Sequence, residues 1–500
     1  MKPRLFRHGL PAAGGAVFLL ALVLPTVALS ARCIRDGEPP TGGFAISARQ
    51  WALLGKTVGL AALGTAAALV VSIPAAYVVG RLGRLSSRPV LSALLVAPLL
   101  FPPMVYVFGW QRLLPNSFPA GIQCIGVWAL WAYPIPALLI GTGGSRFGRG
   151  AYEAALLEAS PAAAFRHAVL PLLRPHISAA AAILFLILVG EYSVPHACSV
   201  LVYATELLGW SEESPRAIDT LWRTLPLSAV LLAALAAAWW SWRRSVAAED
   251  SVEGSPVRGT SGVLTLLAAA CFTCATLVPL ASLGIKLTSL HAMQEAIGTY
   301  SRELLESLVV TGSSGALVVG MGVGVAAVRP LRRAILLWTV VFGVMPGALV
   351  GVAIVSAYQT FPMVYDHWPI VVLGYVARFG WIGVLVMATA RRAAPEELVW
   401  QARIDGADET SVIVRVQAAL SWPTLLFGAA LAAALALSEL PTSTLVRVPS
   451  LGLIAHILIE KFHRFEDDML ISLSLWLVLA AVPAAVLLVT VLRRQSWVRA

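Results

Sequence analysis

Stretches of about 20 apolar residues, the length that crosses a hydrocarbon core of about 30 Å as a helix, recur along the whole chain. They lie near 12 to 32, 53 to 79, 89 to 111, 123 to 142, 177 to 197, 225 to 242, 263 to 285, 304 to 328, 334 to 357, 368 to 390, 424 to 442 and 469 to 492. A backbone in lipid must satisfy its own hydrogen bonds, so such runs are read as helices. The expectation is an all-α, polytopic membrane protein with about twelve transmembrane helices. Composition agrees: 58% of residues are hydrophobic and 12% charged, with a mean hydropathy of +0.81, against about 25% charged in soluble domains.

Orientation follows from Lys and Arg, which stay on the cytoplasmic side. Placing Lys2, Arg4 and Arg7 inside puts Arg81, Arg84 and Arg88 inside as well, followed by Arg146, Arg149, Arg166 and Arg174. Arg243, Arg244 and Arg258, then Arg329, Arg332 and Arg333, then Arg391, Arg392, Arg403 and Arg415, and last Arg493, Arg494 and Arg499 fall on the same side. These seven segments hold 23 of the 36 basic residues and place both termini in the cytoplasm. The net charge of +10 is then topology, with no nucleic-acid partner implied. The opening KPRLFRH before an apolar run resembles a signal peptide. It is read instead as a retained first helix, because removal would break the count of six helices per half.

That count rests on a repeat. Glu191 and Glu439 lie 248 residues apart, Pro175 and Pro423 lie 248 apart, and each glutamate follows its proline by 16. Trp51 to Gly80 matches Leu304 to Val328 in pattern, and Pro102-Pro103 in one half answers to Pro346 in the other. The chain therefore divides into six-helix repeats at 1–242 and 263–500, joined by a cytoplasmic linker at 243–262 whose Gly, Ser, Pro and mixed charges are linker composition. Six helices return the chain to its starting side, so the repeats run in parallel and build one pathway at their interface.

The longest cytoplasmic loops, 143 to 175 and 391 to 423, hold polar, helix-forming sequence. In the first, a helix runs to Glu158 and a second begins with Ser160 as N-cap and Pro161 at its first position. In the second, Gly406 is a helix stop and Asp408, 248 residues after Ser160, is an N-cap. In each loop, two short helices with a turn between them would lie along the cytoplasmic membrane face, presented to a partner.

The first loop resembles the EAA motif of ABC-transporter permeases, in which Glu-Ala-Ala, a following Gly and a hydrophobic-x-Leu-Pro form a coupling helix. Glu153, Ala154, Ala155, Val169, Leu170 and Pro171 match, while the loop is one residue short and lacks the family's Gly. The second keeps Asp405, Gly406 and Ala407, but has Trp400 and Gln401 where Glu-Ala stands and Ala419 where the proline stands. The chain is similar to the fused, two-repeat permeases of type I binding-protein-dependent importers. GEYSVPHACSVLVYATEL, SELPTSTLVRVPSLGLIAHIL and GYVARFGWIGVLV look most like iron(III) and thiamine permeases.

The resemblance implies a transport subunit in the inner (plasma) membrane, not an enzyme. Glu153, Ala154, Ala155, Ala159, Ser160, Pro171, Asp405, Gly406, Ala407 and Asp408 would couple to two ABC ATPase subunits, and a periplasmic or extracellular solute-binding protein would deliver the ligand. ATP and Mg would be handled by the ATPase. Gly55-Lys56-Thr57 is no phosphate loop, since Gln50 stands where the first glycine belongs. No catalytic, cofactor or metal residue is assigned. Ferric iron is the leading substrate, with thiamine or another small solute as alternatives. A gradient-driven carrier working through Glu191 and Glu439 is the rival from another class.

A charge inside a spanning helix is costly and faces a cavity or a partner. Glu191 and Glu439 are candidates either for a pair gating a cation or for carboxylates wetted or hydrogen-bonded to neighbouring helix ends. Arg378 is expected to pair with Glu439. The outer segment TELLGWSEESPRAIDT is read as a solvated acidic loop, or as a contact for a binding protein's basic face. Trp51, Trp110, Trp222, Trp239, Trp240 and Trp368 lie near helix ends as headgroup anchors. Cys271 and Cys274 are read as core packing.

Overall fold

A computed structural model describes residues 3–82, 95–249 and 262–480, apart from 42, 96, 100, 116, 148, 215, 288, 329–331 and 465. All regular structure among these residues is helical. Seven helices are long and apolar enough to cross a membrane, and ten spans result if three bent pairs each count as one. The unbent ones are Pro11–Asp36, Ala48–Gly80, Phe165–Val189, Ala217–Arg244, Gly262–Lys286, Leu290–Ala326 and Pro369–Arg392. The other two expected spans, 89 to 111 and 469 to 492, run into residues outside those described. Their described parts are helical at Pro103–Gln111 and over 467–480. Most of the 243–262 linker also lies outside the described residues.

Proline shapes the helices. Wide π turns occur at Leu19–Val23, Phe165–Val169 and Thr273–Leu277, each ending two residues before Pro25, Pro171 or Pro279. A proline lacks an N–H and crowds the preceding turn, so the ladder widens by one residue. Leu24 N–H thus bonds Leu19 O, Leu170 N–H bonds Phe165 O and Val278 N–H bonds Thr273 O. A fourth π turn, Val412–Ala418, falls in the second polar loop close to 248 residues after Phe165–Val169. At Pro346 the break is complete. Arg332–Val344 and Gly347–Tyr358 meet at 112°.

Packing crosses between the two sequence halves. The N-terminal helix lies on Leu290–Ala326, where a Cβ on Gly14 would stand 2.7 Å from Gly324 Cα. That backbone approach is the small-residue packing typical of lipid. Tyr358 Oη, at the end of helix Gly347–Tyr358, donates to Leu20 O at 2.8 Å and ties the same N-terminal segment to a second element of that half. Reciprocally, Gly262–Lys286 lies on Ala48–Leu82, joining Ala268, Phe272 and Ala275 to Ala75, Val78 and Val79, and Tyr106 Oη donates to Ala275 O at 2.7 Å. Each half's first helix is therefore seated on the other half.

The largest buried cluster also joins the halves, at the end of the molecule away from the polar loops. Val194, Tyr203 and Leu207 of the first half share it with Leu440, Ile454 and Leu473 of the second. Phe108 stacks on Phe462 at 5.2 Å, and Arg112 forks onto both oxygens of Asp467. Trp51, Trp239, Trp240 and Trp368 are exposed near helix ends, whereas Trp222 packs edge-on against Phe44 at 4.9 Å. Cys271 is half-buried with its thiol toward Val71 O, but Cys274 is exposed on the outer side of its helix and is not core.

Candidate functional site

Helix Leu170–Val189 stops at Gly190, and Trp422–Leu437 stops at Ser438. Glu191 and Glu439 therefore stand just past the helix ends, not within spans reaching 197 and 442 as hydropathy alone suggests. The physical reason is a second helix start directly behind each stop. Short helices Ser193–Ala197 and Pro441–Leu445 begin at once, and their first amides have no carbonyl partner within the helix.

Each glutamate caps the short helix behind it. Glu191 Oε1 accepts from Ser193 N at 2.6 Å, and its Oε2 accepts from Val194 N at 3.0 Å and Trp128 Nε1 at 3.1 Å. Glu439 Oε1 accepts from Thr442 N at 3.3 Å and Thr442 Oγ1 at 2.8 Å, while its Oε2 lies 3.7 Å from Arg378 Nε. A carboxylate at a helix start also meets the positive end of the helix dipole. Both sites are screened from solvent: Trp128 is 1% exposed, and the Arg378 and Glu439 side chains are 14% and 12% exposed.

Arg378 owes its place to the break at Pro346. It lies in helix Pro369–Ala393 and donates Nη1 to Gly343 O at 2.7 Å and to Met345 O, carbonyls left without partners where the broken helix ends. Its remaining edge faces Glu439. Gly347 opens the second arm of the break, and a Cβ there would run into Glu439 Oε1 and stand 3.0 Å from Thr442 Oγ1. The residue 248 positions before Arg378 is Leu130. Among the described residues no cation faces Glu191 in that place, and the Trp128 indole supplies the third donor instead.

The polar loops lie at the opposite ends of the same helices. In the first, Glu153, Ala154 and Ala155 sit on helix Arg149–Leu156, with Glu153 and Ala154 exposed. Ala159 and Ser160 form the exposed turn, Ser160 Oγ accepts from Ala163 N at 3.4 Å, and Pro171 lies exposed in the next helix. In the second, Glu396–Ile404 ends at Asp405, and Gly406 takes φ +80°, where a side chain would strain. Ala407 leads to Asp408, whose carboxylate accepts from Ser411 Oγ at 2.6 Å. Arg391 and Arg403 stand 3.5 and 3.3 Å from Glu409, bracing this loop. Both loops expose apolar side chains: Leu156, Leu157 and Phe165 in one, and Leu398, Trp400 and Ile404 in the other, with Leu157 88% and Ile404 83% exposed.

The acidic segment around 205–220 is not uniformly solvated. Asp219 is 2% exposed and accepts from Thr41 N, Thr41 Oγ1 and Ser214 Oγ at 2.7, 2.8 and 2.7 Å, pinning the 37–47 loop. Glu206 pairs with Arg49 at 2.9 Å. An open cavity of about 760 Å³ is lined by Arg302, Glu303, Glu306, Arg447 and the 449–452 turn.

Sequence reading missed Trp128, Thr442 and Gly347. The signal for Thr442 was available, since Glu439 with Pro441 close behind reads as the start of a helix. Trp128 and Gly347 are remote in sequence and carried none. No protein-family model matches the chain, and no curated protein or solved structure matches it significantly.

Proposed function

We propose that the chain is the permease subunit of an ATP-driven importer of the ABC class. In this reading the 1–242 and 263–500 segments are parallel six-helix repeats giving twelve spans, with 243–262 and both termini in the cytoplasm of a cell whose inner (plasma) membrane holds the protein. The observation that carries it is the pair of polar loops. Each is a helix–turn–helix unit on the arginine-rich side, in register over 248 residues, and each exposes a cluster of apolar side chains. Clusters of that kind at a polar surface mark a partner's seat.

Two ABC ATPase subunits would take those seats and supply ATP and Mg, so this chain is the conduit and not the enzyme. Nucleotide binding would draw the loops together, and the helices that run from them to Glu191 and Glu439 would transmit the motion to the far end. A solute-binding protein would load the ligand there. Ferric iron is the substrate favoured by the GYVARFGWIGVLV resemblance, and thiamine or another small solute is the alternative. A gradient-driven carrier using Glu191 and Glu439 has less support. Both carboxylates are committed to amide donors, and a proton taken there would weaken those charge-assisted bonds.

The test is reconstitution in vesicles with an ABC ATPase and a solute-binding protein that co-purify with the chain. Uptake is expected to require ATP. Leu157→Asp or Ile404→Asp should lower coupled ATP hydrolysis about tenfold or more without changing thermal stability. Uptake driven by a proton gradient in vesicles lacking ATP overturns the importer reading.

A further inference from the structure

Beyond the glutamates, the end away from the polar loops holds a contact between histidines of opposite halves. His196 belongs to Ser193–Ala197, the short helix capped by Glu191, and His463 ends helix Ile454–His463 of the second half. Their ring centroids are 5.4 Å apart. His196 Nε2 is enclosed and has no hydrogen-bond partner among the described residues, while His463 is exposed. The other nitrogen, His196 Nδ1, lies 3.2 Å from Tyr192 Oη, and the two rings stack at 5.0 Å.

We propose that His196 and His463 form a two-imidazole site for a first-row transition-metal cation, bridging the halves, with Tyr192 as its positioning residue. Imidazole nitrogens bind such ions at about 2.0–2.1 Å. Two rings sharing one ion at a roughly tetrahedral angle then have centroids about 5 Å apart, close to the spacing seen. A ligating histidine characteristically gives its second N–H to a neighbouring acceptor, which fixes the tautomer. In the tautomer the site requires, Nδ1–H donates to Tyr192 Oη 3.2 Å away and the lone pair stands on the enclosed Nε2. Neutral imidazole suits borderline cations such as Cu²⁺, Ni²⁺, Zn²⁺ and iron better than Mg²⁺ or Ca²⁺.

Among the described residues no cluster of three His, Cys, Asp or Glu gathers around a common point. Two protein ligands leave the remaining positions to water or to a chelator carried with the ion. A waypoint needs that incompleteness, since an ion that is to move on must be held at several weak sites. A transport role for the site rests on the importer reading, whereas metal binding itself does not.

Cu²⁺ is the probe, because its paramagnetic resonance counts coordinated nitrogens. The full chain, in lipid nanodiscs and without a polyhistidine tag, is expected to bind one Cu²⁺ with a two-nitrogen signature. That signal should vanish in His196→Ala and in His463→Ala, the second at an exposed position where folding is undisturbed. Tyr192→Phe should keep both nitrogens but weaken binding about 10- to 100-fold, an effect that simple packing would not produce. A two-nitrogen signal that survives either histidine variant, or its absence from a thermally stable wild-type chain, overturns the site. ATP-dependent uptake with no histidine-dependent copper binding removes the site alone, and intact copper binding with gradient-driven uptake removes the importer reading alone.

Discussion

Glu191 and Glu439 occupy the same place in the chain's architecture and are held in different ways. Both come after a long apolar helix and cap a short one, but Glu191 is balanced by two amides and an indole, Glu439 by one amide, a hydroxyl and a guanidinium. The difference traces to Pro346. The break there strands carbonyls that call for a cation, Arg378 answers them, and the carboxylate beside it gains a counter-charge. A shared backbone need, capping a helix start where water is scarce, has thus been met by two chemistries.

The comparison breaks most sharply at Arg378. Arg378→Leu strands Glu439 and the two carbonyls, and thermal unfolding in nanodiscs should show a loss of about 3–5 kcal/mol, the cost of unpairing a buried ion pair. The pair Arg378→Leu with Glu439→Gln should recover more than half of it, as a double-mutant cycle would report. If Arg378→Leu costs no more than a change at Trp128, the two sites are not distinct in kind. Trp128→Phe removes one donor from a carboxylate that keeps two, and about 1.5–3 kcal/mol is expected for a bond to a charged group.

Gly347→Ala sharpens the contrast by steric means. The new methyl group meets Glu439 Oε1, and about 1–3 kcal/mol is expected for such crowding. Gly190→Ala beside Glu191 meets nothing nearer than Leu231 Cδ2 at 3.6 Å and should cost less. The smallest effect belongs to the exposed pair Arg112–Asp467. Arg112 holds the Asp467 carboxyl below the usual carboxylate range, so its contribution is full above the ordinary pKa near 4 and is lost as pH falls through the lower folded value. With Asp467 54% exposed, Asp467→Asn should cost about 1 kcal/mol or less at neutral pH. Unfolding of the variant and wild type should converge in acid and in high salt.

The spans were legible because apolar length is a local property: seven long apolar helices and three bent helix pairs overlap the stretches that hydropathy picks out. The glutamates were found by spacing, yet their position past the helix ends was not, since apolar residues continue through Val194, Pro195 and Ala197 and hide the stop at Gly190. The solvated reading of Asp219 failed for a related reason. Its partner Thr41 is 178 residues away, and a buried carboxylate looks the same in sequence as a wet one. Arg378 was read toward Glu439, but the carbonyls of Gly343 and Met345 that anchor it depend on the 112° angle of the bend, and Pro346 marks the break in sequence without giving its angle. The exchange of first helices left no mark either, because Gly14 and Gly324 are ordinary small residues in apolar runs.

That exchange bears on how the protein is made. The helix that carries Gly14 is synthesised well before the glycine it rests on, which comes only with residue 324. At about 5–20 residues per second, Gly14 waits on the order of 15–60 s for that partner. Throughout that interval its buried stripe, including Phe18, Ala21 and Leu22, faces lipid or an insertion chaperone. Assembly of the first half is then completed only by the arrival of Gly262–Lys286, so the first half finishes maturing only once the second is being made.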